Sequence, residues 1–359
     1  VADTREPASP LGLSAAGDGQ AASWAWANAR LPAVEQRLKQ VADQAGPLRI
    51  SARYHLVSGG SRFRARLALA TGHVLGLSTE LMTPAAAACE LLHNASLVHD
   101  DLQDQDTLRR GRQTVWKRFG TDIALNLGDY FLSAAHGLLL ETPCAAETRL
   151  RLVTLFTQRI AESIRGQVLS ARFTPVFTVA DYEDLVRAKT GAFFALPAES
   201  ALALAAAAPA VRGPAVAALE WLGVAYQIQD DLGDLLGRKT GRAAGSDLRA
   251  GVVNALLVQC AACRPHPLLD QIIGRLREDR AQVEPAVIAG WARQLCESAA
   301  FERTLGQLDR VYGQVDANLR QVPSPLAETL REGCQQFASS AALRRWQQEE
   351  MAPSCQQPS

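Results

Sequence analysis

Two stretches of this chain repeat one arrangement of carboxylates, VHDDLQD at 98–104 and IQDDLGD at 228–234. Each is a DDxxD cluster, and each closes a long apolar helical pattern, AAAACELLHNASLVHDDLQD (85–104) and PAVAALEWLGVAYQIQDDLGDLL (214–236). On a helix the first and last Asp of each cluster lie four residues apart and share a face. A surface helix keeps its acids opposite its apolar stripe, whereas here the stripe runs straight into them. One such cluster reads as a solvated face. Two of identical spacing and approach read as a metal site, because packed like charges repel unless a multivalent cation lies between them. The candidate ligands are Asp100, Asp101 and Asp104 with Asp230, Asp231 and Asp234. All six are hard oxygen donors, which suits magnesium shared with phosphate.

Positive charge follows the first cluster at once, as Arg109, Arg110 and Arg112. Taken as continuous helix, residues 99–112 span about four turns. The plain alternative is a solvated helix, acidic at its start and basic at its end, an arrangement its macrodipole favours. With a second acidic cluster elsewhere, the arginines read better as planar forks for phosphate oxygens. The constellation describes a pocket for a diphosphate, clamped between two helices above an apolar well.

Helical periodicity dominates the rest, as at 31–44 and 148–169, while alternation of strand length is scarce. Turn signals such as SGGSRF (58–63), FGTD (119–122) and VPSP (322–325) separate the periodic segments, and no composition break divides them. The expectation is a single all-α domain over 23–350, between flexible tails at 1–22 and 351–359. Lys+Arg and Asp+Glu balance at 37 each, so no global basic field recruits nucleic acid. No run of eighteen uncharged apolar residues occurs, and the nearest, 195–211, is broken by Pro197, Glu199 and Pro209. Stable membrane insertion is therefore not expected. Seven cysteines, an odd number, together with no leader-like segment, suggest reduced thiols and a cytoplasmic location. Cys260 and Cys263 with His266 lack the second ligand pair that a zinc site needs.

With these pieces in order, residues 55 to 260 resemble the trans-isoprenyl diphosphate synthase family. SLVHDDLQDQDTLRRG and YQIQDDLGD match its two aspartate-rich motifs, and GGSRFRA (59–65) resembles its GGKRxRP. ALNLGDYFL (124–132), AKTG (188–191) and GSDLRAGVVN (245–254) resemble three further family segments in the right order. The resemblance implies a helical bundle around a central apolar cavity, working as a homodimer on an allylic diphosphate and isopentenyl diphosphate. It implies three Mg²⁺ ions on the six aspartates. Arg109 and Lys189 would hold the allylic diphosphate, Thr190 and Gln227 would line the developing cation, and Arg64, His93 and Arg110 would hold the second diphosphate. Arg242 stands where the family often has a lysine. Product length would be set beneath the first cluster by Ala95, with Ser96 beside it and Leu92 a turn below. A methyl group there suggests products longer than farnesyl, geranylgeranyl diphosphate first.

Besides Arg242, five positions depart from the pattern. Ser61 and Val252 replace family lysines, Ala65 a proline, Asn254 a threonine and Ser170 an aspartate. Ser61 removes a charge from the isopentenyl diphosphate side, a loss that would raise the requirement for that substrate by roughly tenfold to a hundredfold. Chain elongation with compensating residues is the leading reading. The alternatives are a same-fold terpene synthase or allylic diphosphate hydrolase that no longer uses isopentenyl diphosphate, and a non-catalytic regulatory subunit. Intact aspartate clusters speak against the last.

Overall fold

The computed structural model describes residues 22–171, 173–174, 176–238, 244–263, 266–279 and 283–337. Sixteen α-helices are described: α1 (Ala22–Gln44), α2 (Arg49–Leu56), α3 (Phe63–Val74), α4 (Thr79–Gln103), α5 (Val115–Phe119), α6 (Thr121–Leu140), α7 (Ala146–Ser170) and α8 (Val179–Val186), then α9 (Ala192–Leu204), α10 (Pro209–Leu235), α11 (Ser246–Ala250), α12 (Ala255–Ala261), α13 (Pro267–Asp279), α14 (Pro285–Cys296), α15 (Ala299–Leu319) and α16 (Ser324–Cys334). A two-residue hairpin, β1 (Leu108–Arg109) with β2 (Arg112–Gln113), supplies the strands described, in antiparallel register. The fold is all-α, as the periodicity indicates.

The two helices that carry the aspartate clusters are central. Ser78 caps α4, its hydroxyl accepting from Leu81 N–H at 3.3 Å, and Pro209 opens α10 at a position where no N–H is needed. From Met82 to Leu92 every residue of α4 is buried, against α3 on one side and α6 on the other. α10 packs against α9 and α15. A helix that is apolar nearly all round is stable only at the centre of a bundle.

Both helices stop in the same way, directly after the acids. Gln105 takes a left-handed conformation (φ 59°); its N–H meets Leu102 O at 3.4 Å, and Asp106 N–H meets Asp101 O at 2.9 Å. Gly237 (φ 66°) ends α10 with the equivalent pair, to Asp234 O at 3.2 Å and from Arg238 N–H to Gly233 O at 2.8 Å. These are Schellman closures, which satisfy the last carbonyls and turn the chain sharply. The first closure corrects the expectation of continuous helix through 99–112: α4 ends at Gln103, and Arg109, Arg110 and Arg112 sit on the hairpin.

α6 crosses α4 closely. A Cβ on Gly128 would lie 2.1 Å from His99 Nε2, so the imidazole sits over the glycine and would have to move for any larger residue. α6 is also the one described helix long and apolar enough to cross a bilayer, although it contains Asp122 and Asp129, and 39% of its most apolar stretch is buried in the bundle.

Candidate active site

The first cluster splits by direction. Asp101 is 1% exposed and turned toward the hairpin, where Arg109 holds it at 2.7 Å (Nη2) and 2.8 Å (Nε). Asp100 lies on the face toward Lys189, and burial pushes its pKa up to about 6, partly offset by the Lys189 charge. Asp104 caps the helix and is exposed. Arg109, expected as a phosphate ligand, is thus also the partner of a buried carboxylate.

The second cluster is rearranged more strongly. Asp230, Asp231 and Asp247 form a group whose carboxylate oxygens lie within 4.8 Å of one another. Asp234, expected as the third ligand of its cluster, is not in that group. Its carboxylate accepts from the Ser246 hydroxyl and from Asp247 N–H (3.0 Å), and so builds the turn that delivers Asp247. Asp231 is fully enclosed and accepts from Tyr182 OH (2.8 Å), Gln227 Nε2 (2.9 Å) and Ala255 N–H (2.8 Å). Burial, with Asp247 next, still pushes its pKa up to about 7. Three hard oxygen donors this close together fit a divalent cation, which relieves the repulsion that the Asp247 and Asp230 charges exert on Asp231.

Between the clusters lies the AKTG segment. Residues Arg187–Gly191 form a π-helical turn joining α8 to α9. Such turns free backbone groups and redirect side chains. Here Ser163 Oγ donates to Lys189 O (2.8 Å), and Gly166 leaves room for the turn, since a Cβ there would sit 2.7 Å from Lys189 N. A Cβ on Gly223 would lie 2.5 Å from Gly191 Cα, so α10 passes equally close on the other side. Arg187 is tied to Glu220 (2.8 Å), which also meets Arg159 (2.9 Å), itself paired with Glu199 (2.8 Å). The result is that Lys189 faces Asp100 and donates to Ser170 Oγ (3.2 Å). Thr190 Oγ1 donates to Gln227 Oε1 (3.1 Å), and Gln227 in turn holds Asp231.

A polar pocket adjoins the first cluster, lined by Gly60, Ser61, Arg64, Glu90, His93, Asn94 and Arg110 among others. Arg110 donates to Gly59 O, and its guanidinium occupies the place a Cβ on Gly60 would need. Burial and the guanidinium of Arg64 hold the pKa of His93 well below the ordinary range, so its imidazole is neutral. Arg64 stands with Cζ 5.2 Å from the Phe194 ring, and its buried Nε has no hydrogen-bond partner. Arg62 is committed elsewhere, to Glu35 (2.6 Å) and Leu56 O (2.9 Å). Phe337, near the end of the described chain, packs on Phe63, Phe194 and Tyr226 with ring centroids 5.2–5.6 Å apart.

Ala95 and Leu92 are buried beneath the first cluster, at 0% and 1% exposure, and Ser96 is half-buried with its hydroxyl on His93 O (2.9 Å). Arg242 lies outside the described residues. Sequence reasoning assigned no role to Asp247, although its signal was present in GSDLRAGVVN. It had no local signal for Tyr182, forty-nine residues from its partner Asp231.

The polyprenyl synthetase family model matches residues 47–289. The chain is 30% identical to geranylfarnesyl diphosphate synthase of Aeropyrum pernix over 302 residues, 80% of this chain and 95% of that one. It is 37% identical to (2E,6E)-farnesyl diphosphate synthase of Mycobacterium tuberculosis over 229 residues, which cover 59% of this chain and 63% of the relative. Among solved structures it resembles polyprenyl synthase from Caulobacter crescentus complexed with calcium and isoprenyl diphosphate, with a TM-score of 0.76 and 25% identity over 89% of this chain and 96% of that one.

Proposed function

This chain belongs to the polyprenyl synthetase family, the trans-prenyltransferases that make isoprenyl diphosphates, and on that premise we propose that it condenses an allylic diphosphate with isopentenyl diphosphate. The observation that carries the reading is the π-helical turn between the clusters: Lys189 faces Asp100, while Thr190 reaches Asp231 through Gln227. One turn thereby addresses both acidic ends, between which a diphosphate would be held. The donor set of Asp100, Asp104, Asp230, Asp231 and Asp247 would hold magnesium, three ions in all. When bound, these ions would neutralise the departing diphosphate and promote ionisation. Lys189 adds fixed positive charge at the same oxygens, and the Thr190 and Gln227 dipoles face the carbon that becomes cationic. The C1–O bond breaks toward diphosphate, the double bond of isopentenyl diphosphate attacks C1, and the proton lost from that substrate goes to the departing diphosphate.

The polar pocket favours elongation over an ionising enzyme with one substrate. Arg64 and Arg110 with neutral His93 form a second anion site even without the lysine that Ser61 replaces. Arg64 Nε is buried without a hydrogen-bond partner, which leaves it able to donate to a bound diphosphate. Incubation with magnesium and each allylic diphosphate, with and without isopentenyl diphosphate, tests the reading by mass analysis of products. Longer diphosphates that require both substrates are expected, with geranylgeranyl diphosphate the principal product. Hydrocarbons or alcohols from the allylic substrate alone would overturn it. Asp100→Ala and Asp230→Ala should each cut turnover by about a thousandfold or more, because charge stabilisation is the main catalytic device.

The acting species in this reading is a homodimer. α6 and α7 pack together and leave Leu125, Leu140, Leu150 and Ile164 50–66% exposed. Exposed aliphatic side chains on two adjacent helices suit a self-complementary interface. Light scattering of the wild type and of Leu125→Asp/Ile164→Asp checks it: a dimer and a monomer are the expected masses.

A further inference from the structure

Charge in this chain balances overall but is segregated locally. Residues 44–79 and 107–121 contain no Asp or Glu, yet hold ten basic residues between them. The fold brings these two segments together, since α2 packs beside α5. Three of the basic residues, Arg64, Arg109 and Arg110, serve the sites described above, and Arg62 is tied to Glu35 and Leu56 O. Others are turned outward on the α2–α5 face, and the proposed reaction makes no use of them.

Along α2 and its C-cap residue Val57, Arg49, Arg53 and Val57 lie four residues apart with Ile50 beside them, so all four share one face. Ile50 is 70% and Val57 76% exposed. Tyr54 sits between two guanidiniums, Arg112 at 4.2 Å and Arg118 at 4.5 Å from its ring. This stack joins α2, the hairpin and α5 into one surface, and α5 adds exposed Lys117. Asp43 of α1, at the edge, is already paired with Arg53. A face that is basic, acid-poor and studded with exposed aliphatic side chains is unusual on a chain of zero net charge.

We propose that the α2–α5 face docks peripherally on an anionic phospholipid bilayer, with Arg49, Lys117 and Arg118 at the headgroups and Ile50 and Val57 in the headgroup–acyl boundary. The chemistry matches both components. Surface cations gain from a negative leaflet, and apolar side chains flanked by cations gain from the interfacial region. Aliphatic tips have no role on a phosphodiester backbone, and Tyr54 is covered by guanidiniums, so single-stranded nucleic acid fits less well. The docking does not depend on the proposed reaction, although a diphosphate on a long apolar tail would also partition to such a surface.

Co-sedimentation of the full chain with vesicles tests this, using phosphatidylglycerol mixed into phosphatidylcholine against phosphatidylcholine alone. Binding to the mixed vesicles that weakens with salt, and none to the neutral ones, is expected. Each cation removed from the surface should weaken binding by about fivefold, so Arg49→Glu/Lys117→Glu should lose at least about 25-fold while circular dichroism and vesicle-free activity stay unchanged. Ile50→Ser/Val57→Ser should keep the salt dependence and lose affinity at high salt, where charge is screened. Undiminished binding by both double variants would overturn the proposal. So would binding of oligo(U) RNA in place of anionic vesicles. A raised Michaelis constant for isopentenyl diphosphate in Arg49→Glu/Lys117→Glu without vesicles, with lipid binding intact, would make the face a substrate-steering surface instead.

Discussion

At Ser170 one atom changes what its neighbour is for. The resemblance places an aspartate here, but in this chain a neutral hydroxyl accepts from Lys189 at 3.2 Å and donates to Gln167 O at 2.9 Å. The ammonium is positioned without being neutralised, so its charge stays available for a diphosphate. Ser170→Asp should convert the contact into an ion pair and raise the Michaelis constant for the allylic substrate by about tenfold, with that for isopentenyl diphosphate little changed. Ser170→Ala should instead lower kcat by a few-fold, roughly the worth of one neutral hydrogen bond, and Ser170→Thr should restore it. Steady-state kinetics with each substrate varied in turn separates these outcomes; equal changes for both substrates would remove Ser170 from the allylic side. Ser61→Lys is the mirror experiment. It should lower the Michaelis constant for isopentenyl diphosphate alone, because Ser61 lines the pocket of Arg64, His93 and Arg110.

Among the elements, α10 is the most informative, because two of its glycines have opposite meanings. Gly223 touches the π-helical turn so closely that a methyl group would meet Gly191 Cα at 2.5 Å, whereas nothing lies within 4 Å of a Cβ on Gly213. Gly223→Ala should therefore destabilise by about 1–3 kcal/mol and, by displacing Lys189 and Thr190, depress activity further than the stability loss explains. Gly213→Ala should stabilise by about 0.5–1 kcal/mol and leave kinetics unchanged. Thermal melts with assays on both variants check the pair. On α4 the comparable question is product length. Ala95 is five residues before Asp100, roughly 7.5 Å of rise, and Ala95→Tyr should shorten the product by at least one isoprene unit. An unchanged product distribution from a folded, ionising variant would place the floor elsewhere.

Across the whole molecule, the buried acids make stability depend on pH and metal together. The carboxyls of Asp100 (about 6) and Asp231 (about 7) stand above their ordinary value near 3.8, chiefly through burial. Above 3.8 the unfolded chain releases these protons while the folded chain retains them. Raised carboxylate values therefore cost stability increasingly from about pH 4 to 7, and the cost is complete above that range. In chelator the melting temperature should fall between pH 5 and pH 8. Magnesium with inorganic diphosphate should restore more at pH 8 than at pH 5, because binding then requires no proton release. A melting temperature independent of pH in chelator would contradict the burial of these groups.

Much of this protein is determined along the chain itself. Carboxylate spacing, apolar periodicity and the order of the punctuating turns are local properties, and a helix converts such spacing directly into a shared face. The all-α class and the two acidic helix ends follow from them, and Gly237 even marks where α10 stops, whereas the hairpin that carries Arg109, Arg110 and Arg112 does not. The end of α4 carries no such mark, because Gln105 adopts a left-handed conformation that its residue type does not announce. Which carboxylates meet was decided only in three dimensions. Asp234 bonds to the 246–247 turn and Asp247 takes the place beside Asp230 and Asp231, while Asp101 turns to Arg109. Spacing states which side chains share a helix face, but not which neighbour that face will meet. The neighbour is set by how α8, α10 and the turn before α11 pack against one another, over separations where the chain carries no local signal.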